Sequence, residues 1–583
     1  MTKQHSERFL QDKVIELFKK LGYKYLTKEE ALKERDNNLN NVLLKNILEE
    51  QMKKINSFTY KDKQNSFSID NIKKAIEDLD VPLINGYLST NEIITSKLLK
   101  GESYKEKIGN EQKSFSIKYI DFDNIENDVF HITEEFAVNR KTADERERTR
   151  RPDLVVFING IPIAVIELKN AVVNVEEAIT QMIRNQEQNE IPNLFKFTQL
   201  LICANDDKVK YGTLGTTSKF YTVWKDKEQY DYNKSKDALI KNEESRIQKE
   251  IKEIIKDRVI NDIDITLYSF FQKERFLDIL EYFIIFDNGI KKVARYNQYF
   301  AIKKIMERIE QTNDEGKREG GVVWHTQGSG KSLIMSMLTK IISRKIKGSK
   351  IVVVTDRIEL DKQIEKTFND TGISVKRAKT GTGLINLIKE GATIITTIIN
   401  KFENVFDKRV VVDSPDIFIL VDESHRTQYG DFADKMRKVF PNACYIGFTG
   451  TPLYKSEKST AKKFGGFIDT YTIRDALKDE VIVPLYYESR LPKIMIKDKE
   501  AMDNEYDAIL EECADTDEEK KIFKRNIRGG RILISYEVLE NIVDDIIEHY
   551  NKNLKNTKFN AMFAVGSKFE AMRVKEIFDK KNA

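Results

Sequence analysis

Val322-Val-Trp-His-Thr-Gln-Gly-Ser-Gly-Lys-Ser332 is a short apolar run that breaks into a glycine-containing loop, and the apolar stretch Leu333 to Ile342 follows it. The pattern predicts a strand, a phosphate loop and a helix start. Gly328 and Gly330 let the backbone turn so that N–H groups of the loop point inward at a polyphosphate, which makes Thr326, Gln327, Gly328, Ser329 and Gly330 candidate nucleotide contacts. Lys331 can reach the terminal phosphates and Ser332 can hold Mg²⁺. His325 stands where the first glycine of G-x-x-x-x-G-K-[ST] is usual, but the core G-S-G-K-S is intact.

Repeated strand-then-helix units follow. Ile351-Val-Val-Val-Thr-Asp-Arg357, Ala392-Thr-Ile-Ile-Thr-Thr397, Asp416-Ile-Phe-Ile-Leu-Val-Asp422-Glu423-Ser-His425 and Cys444-Tyr-Ile-Gly-Phe-Thr449-Gly-Thr451-Pro read as buried strands. Continuous apolar strands alternating with helices indicate an α/β fold with a parallel sheet covered on both faces, its ligand at the carboxyl ends. Asp422 is then placed to hold Mg²⁺ opposite Lys331, and Glu423 to orient the attacking water. An acidic pair ending a strand is often a helix cap, but a phosphate loop upstream favours the catalytic role. Before the loop, Leu267 to Ile285 reads as a strongly apolar helix, followed by Asp287-Asn-Gly289 and Val293-Ala-Arg-Tyr-Asn-Gln298. Arg295 and Gln298 matter by their place one helix ahead of the loop, where a glutamine amide could read both edges of adenine.

A second stretch carries different chemistry: Arg150-Arg-Pro-Asp153-Leu-Val-Val-Phe-Ile-Asn-Gly160-Ile-Pro-Ile-Ala-Val-Ile-Glu167-Leu-Lys169. Two apolar runs flank Asn159-Gly160, a hairpin signal. Asp153 opens the first strand, and Glu167 and Lys169 share one face of the second. This is the layout of a metal-dependent nuclease of the P-D…E-x-K type, in which two carboxylates hold Mg²⁺ and the lysine orients water or stabilises the pentacovalent phosphate. Parity tests it. A tight two-residue loop would pair Asp153 with Ile166 and turn it away from Glu167, so a three-residue turn with Gly160 left-handed, or a bulge, is expected. The isolated alternative for Glu-x-Lys is a surface ion pair. Upstream, Arg140, Lys141, Arg146, Arg148, Arg150 and Arg151 interleave with acids, which suits a DNA phosphate grip and a salt-bridged surface equally. Ser6 to Tyr25 has helical apolar spacing, with Glu7 in the first turn; interaction with the helix dipole is its plain role. Asn174-Val-Glu-Glu177 resembles a capping box opening a helix that carries Gln181 and Arg184. Asp206 to about Asp264 reads as a polar connector, and Lys493 to Arg528 as a charged one.

At 583 residues the chain is too long for one core. The net charge of +4 sends any DNA contact to local basic patches. Cys203, Cys444 and Cys513 offer neither zinc nor disulfide spacing, which fits a reducing cytoplasm, and no apolar run approaches bilayer length.

Taken together, the Gln298 region, Gly328 to Ser332, Thr355-Asp-Arg357, Asp422-Glu-Ser-His425 and Gly447-Phe-Thr-Gly-Thr-Pro452 resemble the ordered motifs of a superfamily 2 DNA helicase or translocase. With the Arg-Pro-Asp…Glu-Leu-Lys stretch before them, the whole is similar to the restriction (R) subunit of type I restriction-modification enzymes. The resemblance implies a PD-(D/E)xK nuclease-like domain with a charged connector over 1–255, a first RecA-like motor domain over 256–475, and a connector with the start of a second RecA-like lobe over 476–583. It implies ATP and Mg²⁺ as cofactors, and double-stranded DNA with modification and specificity subunits as partners. Asn185 stands where the family often has the tyrosine of Gln-x-x-x-Tyr after Gln181. The arginine-bearing motifs of a second lobe are not found before Ala583, so a fragment of a longer subunit that binds ATP and hydrolyses it poorly is expected. Two other functions fit the motifs: a repair helicase whose nuclease-like domain clamps DNA without cutting, and a subunit gated by nucleotide for assembly.

Overall fold

A computed structural model describes residues 7–141, 148–226, 246–254, 260–399, 411–422, 435–450, 464–490 and 536–581. The chain forms two compact units, Met1–Val483 and Pro484–Ala583.

The first unit holds two sheets. Helix α1 (Glu7–Lys20) opens it, burying Leu10, Val14, Ile15, Leu17 and Phe18 on one stripe. Six strands then pair in chain order: β1 (Lys24–Leu26), β2 (Phe130–Glu134), β3 (Leu154–Ile158), β4 (Ile161–Leu168), β5 (Leu200–Ala204) and β6 (Val209–Gly212). The β1/β2 and β4/β5 pairs are parallel and the rest antiparallel. Every residue of β3, β4 and β5 is buried, as expected of central strands covered on both faces. Helix α2 (Val175–Asn185) packs on β4 and β5, and its N-cap is Asn174, whose side chain accepts from the Glu176 N–H at 3.1 Å.

The second sheet is wholly parallel and sevenfold. Its strands are β9 (Gly321–His325), β10 (Lys350–Thr355), β11 (Lys376–Arg377), β12 (Ile394–Ile398), β13 (Ile417–Asp422), β14 (Cys444–Thr449) and β15 (Phe467–Tyr471), in the order β11-β12-β10-β13-β14-β9-β15. The expected parallel α/β architecture is therefore present, with helices α3 (Tyr296–Ile309) and α5 (Ile358–Asp370) against it and α4 (Lys331–Lys345) packed on both of them.

Between the sheets the structure departs from the sequence reading twice. Leu267 to Ile285 is not one helix: Asp262–Phe270 and Lys273–Tyr282 are separate helices, and Ile284–Asp287 (β7) pairs with Ile290–Val293 (β8) across Asn288 and Gly289, both at positive φ. The asparagine–glycine turn outweighs helical periodicity there. The supposed polar connector after Asp206 contributes to the core, because Tyr211 and Trp224 are buried in an aromatic cluster with Phe270, Tyr299 and Phe300. The Tyr211 hydroxyl donates to the Ala294 carbonyl at 2.8 Å, and Lys291 of β8 donates to Asn91 Oδ1 at 2.6 Å from a fully buried position.

In the second unit, helices α6 (Tyr536–Asn553) and α7 (Lys568–Lys580) pack through Leu539, Val543, Val574 and Ile577. Phe559 and Met562 are exposed, and residues 559–565 form no strand. Lys493 to Arg528 lies outside the described residues.

Candidate functional site

The β3–β4 hairpin turns on two residues, with Asn159 at φ 52° and Gly160 at φ 84°, and Ile158 faces Ile161. This turn is pinned. Asn159 is fully buried, its Oδ1 accepts the Val129 N–H at 2.9 Å and its Nδ2 donates to the Tyr119 carbonyl at 3.0 Å. A Cβ on Gly160 would lie 2.6 Å from the Leu44 carbonyl oxygen. Left alone, such a turn sends Asp153 and Glu167 to opposite faces. The register shifts, however, between Pro162, opposite Phe157, and Ala164, opposite Val156, so Ile163 is the extra residue of a β-bulge. Beyond it Ile166 pairs with Leu154, and the next residues along are Glu167 and Asp153. Of the two devices expected to restore parity, the bulge is used and the longer turn is not.

Asp153 Oδ2 accepts the Leu168 N–H at 2.7 Å and Oδ1 accepts Gln11 Nε2 at 3.1 Å. Glu167 is fully buried; its Oε2 accepts Gln181 Nε2 at 2.8 Å and its Oε1 accepts Asn185 Nδ2 at 3.3 Å. Position 185 thus still reaches the acid although it is not tyrosine. Lys169 Nζ lies 3.6 Å from Glu7 Oε1. Each of the four carboxylate oxygens therefore has a neutral donor, which orients it without cancelling its charge. Burial raises the Asp153 carboxyl against the opposing Leu168 N–H and Lys169 charge. Burial, and then the charge of Asp153, push Glu167 well above the ordinary carboxyl range. A site that strains to hold two negative charges is one a cation would relieve. Among the described residues no group of three or more His, Cys, Asp or Glu is arranged around a metal-sized space. Two hard oxygen ligands nevertheless suit Mg²⁺, which keeps waters and takes substrate phosphate oxygens for the remaining positions.

Two further sequence readings find partners nearby. Arg140 Nη2 and Arg150 Nε reach buried Glu190 at 3.1 and 2.7 Å, so these two arginines are held in a structural ion-pair cluster. Arg146 lies outside the described residues. Glu7 faces Lys169, beyond any role at the helix end. Gln11 escaped the sequence reading; its only signal is a glutamine on the apolar stripe of α1.

At the phosphate loop, Gly328 and Gly330 have φ 82° and 85°, and Gly330 caps α4. Ser329 is buried and donates its hydroxyl to the Thr326 carbonyl at 2.6 Å. Lys331 Nζ donates to the His325 carbonyl at 3.4 Å, and Ser332 sits in the first turn of α4. Gln298 is nearly buried and both edges of its amide are engaged: Oε1 accepts the Arg295 N–H and Nε2 donates to the Ser329 carbonyl, each at 2.9 Å. In this arrangement it braces the loop. A Cβ on Gly330 would come within 2.4 Å of that Nε2, so the glycine is needed for the close approach as well as for its φ.

His325 occupies the missing-glycine position because it turns inward at the end of β9, where Nε2 meets Asp469 Oδ2 of β15 at 2.7 Å and Lys304 Nζ meets Oδ1 at 3.1 Å. Gly450, just past β14, packs on the loop, where a Cβ would lie 2.9 Å from both Lys331 Nζ and Gln327 Cγ. Asp422 ends β13 and is mostly buried. It pairs with Phe448, and Thr449 pairs with Trp324, so Asp422 and the loop leave the same carboxyl edge with β14 between them. Glu423, His425, Thr451 and Pro452 lie outside the described residues.

Two family models match separate parts of the chain. Residues 4–220 match the family model described as type I restriction enzyme R protein N terminus, and residues 297–521 match that of the SWI2/SNF2 ATPase. The chain is 31% identical over 585 residues to the putative type I restriction enzyme MjaIXP endonuclease subunit of Methanocaldococcus jannaschii, covering 98% of this chain and 54% of that protein. It is 29% identical over 537 residues to the type I restriction enzyme HindI endonuclease subunit of Haemophilus influenzae, covering 86% and 47%. The chain thus spans about half the length of these curated relatives. Among solved structures, the Hef helicase domain of Pyrococcus furiosus aligns with 17% identity and a TM-score of 0.27 over 49% of this chain and 52% of that one.

Proposed function

Because the chain belongs to the type I restriction enzyme R (endonuclease) subunit family, we propose that it is an ATP-driven DNA translocase joined to an Mg²⁺-dependent DNA endonuclease. The bulge at Ile163 is the observation that carries the cutting half, since without it Asp153 and Glu167 would not share a face. We assign a PD-(D/E)xK nuclease-like domain and its connector to 1–255, a RecA-like motor of superfamily 2 type to 256–475, and a connector with the start of a second such lobe to 476–583. Double-stranded DNA is the substrate, and modification and specificity subunits choose the site.

In the cleavage site, Asp153 and Glu167 would hold Mg²⁺, and Gln181 and Asn185 fix the orientation of the Glu167 carboxylate. The ion supplies Lewis acidity toward the phosphodiester and a more acidic water. Lys169 places positive charge beside the phosphate as its charge grows. In the motor, the N–H groups of Gly328 to Ser332 and the Lys331 ammonium receive the ATP phosphates. Ser332 and Asp422 hold the nucleotide's Mg²⁺, Glu423 orients the attacking water, and Gln298 keeps the loop open by holding the Ser329 carbonyl. Arg295 and Gln298 border the place for the base.

Plasmid cleavage by this chain with modification and specificity subunits, with and without ATP, tests the reading. Cutting that needs ATP and is lost in both Asp153→Ala and Lys331→Ala is the expected result. Cutting that survives Asp153→Ala would place the nuclease elsewhere, and cutting that is indifferent to Lys331→Ala would remove the motor from the reaction.

A further inference from the structure

We propose that helix α1 is part of the cleavage site, with Gln11 acting as the positioning residue for Asp153. This inference rests on the nuclease reading above. Gln11 lies among Leu10, Val14 and Ile15 on the buried stripe of α1 and is only 5% exposed. A polar side chain in that setting costs stability unless it is hydrogen-bonded. Its Nε2 donates to Asp153 Oδ1 at 3.1 Å, while the Leu168 N–H takes Oδ2 at 2.7 Å. One donor comes from α1 and the other from β4, so the plane of the carboxylate is fixed by two independent elements. Removing the first leaves the group free to rotate about the second.

The register of α1 over the site is itself secured. Glu7, one turn before Gln11 on the same face, meets Lys169 at 3.6 Å. Arg8 pairs with Glu134 at the end of β2, and Lys13 approaches Asp206 beyond β5 at 3.8 Å. The helix is thus tied down on both sides of the hairpin, and Gln11 is delivered to Asp153 by contacts that do not involve Asp153.

Outer residues that orient a metal ligand typically change metal affinity or activity by about 10–100-fold when removed. The test uses Gln11→Met, which keeps the side chain's length and apolar packing but lacks the donor. Binding of Mn²⁺, a paramagnetic substitute for Mg²⁺, is measured by electron paramagnetic resonance on the full 583-residue chain without nucleotide. Asp153→Ala serves as the reference for site occupancy. The expected result is an affinity about 10-fold or more weaker in Gln11→Met. Equal affinity in Gln11→Met and wild type, with binding lost in Asp153→Ala, would overturn this inference alone. Equal binding by wild type and Asp153→Ala would overturn the nuclease reading and this inference with it. Thermal melting of the two single variants and the double variant separates positioning from packing: coupled effects support the proposal, and additive losses overturn it.

Discussion

Replacing Glu167 by Gln should abolish cleavage and yet make the protein more stable at alkaline pH. Glu167 is fully buried, faces Asp153, and has its carboxyl pushed well above the ordinary value of 4.5 by burial and then by that neighbour's charge. A raised folded-state pKa means that the stabilising protonated form is complete below the unfolded pKa and is lost as pH rises through the folded one. Glutamine does not titrate. It forfeits one amide contact, the 3.3 Å bond from Asn185, at about 1 kcal/mol. Its own N–H can donate to the Asp153 carboxylate, a charge-assisted bond of about 1.5–3 kcal/mol. The net gain is on the order of 1 kcal/mol above neutral pH, and it shrinks toward pH 5. Thermal melts in chelator should show Glu167→Gln ahead by on the order of 2–4 °C at pH 8.5. Adding Mg²⁺ should then favour wild type, by about 2.7 kcal/mol at 100 times its dissociation constant. A melting difference that does not change with pH, or equal stabilisation of both proteins by Mg²⁺, would refute the reasoning.

Gly160→Ala places a Cβ 2.6 Å from the Leu44 carbonyl at φ 84°, so it should destabilise by about 1–3 kcal/mol in chemical denaturation. Gln298→Glu sets a carboxylate oxygen against the Ser329 carbonyl. If the residue braces the loop, fluorescent ATP and GTP analogues should both bind more weakly by a similar factor, whereas loss confined to ATP would show adenine reading. Arg150→Ala removes a charged hydrogen bond to buried Glu190, which keeps Arg140, and the expected loss is about 1.5–3 kcal/mol of stability, read by melting. Its affinity for non-specific DNA, read by fluorescence anisotropy, should stay unchanged; a large drop there would return Arg150 to a DNA-gripping role.

Much of this protein could be read from local sequence, because the decisive signals are local. Glycines at 328 and 330, an apolar run before them and strands ending in acids dictate a parallel sheet with its ligand edge, and the structure has that sheet. The pair Asn159-Gly160 likewise dictates a turn, since both residues tolerate positive φ. The facing of Asp153 was beyond sequence. Every residue of β3 and β4 is buried, so no polar alternation marks which face is which, and only pairing with the neighbouring strands places the extra residue at Ile163. Tertiary packing also decided that Gln298 braces the loop, that Arg140 and Arg150 close on Glu190, and that Gln11 meets Asp153 across 142 residues of chain. A sequence specifies the residue types and backbone conformations available at each position, while a carboxylate's partners depend on which distant elements pack beside it.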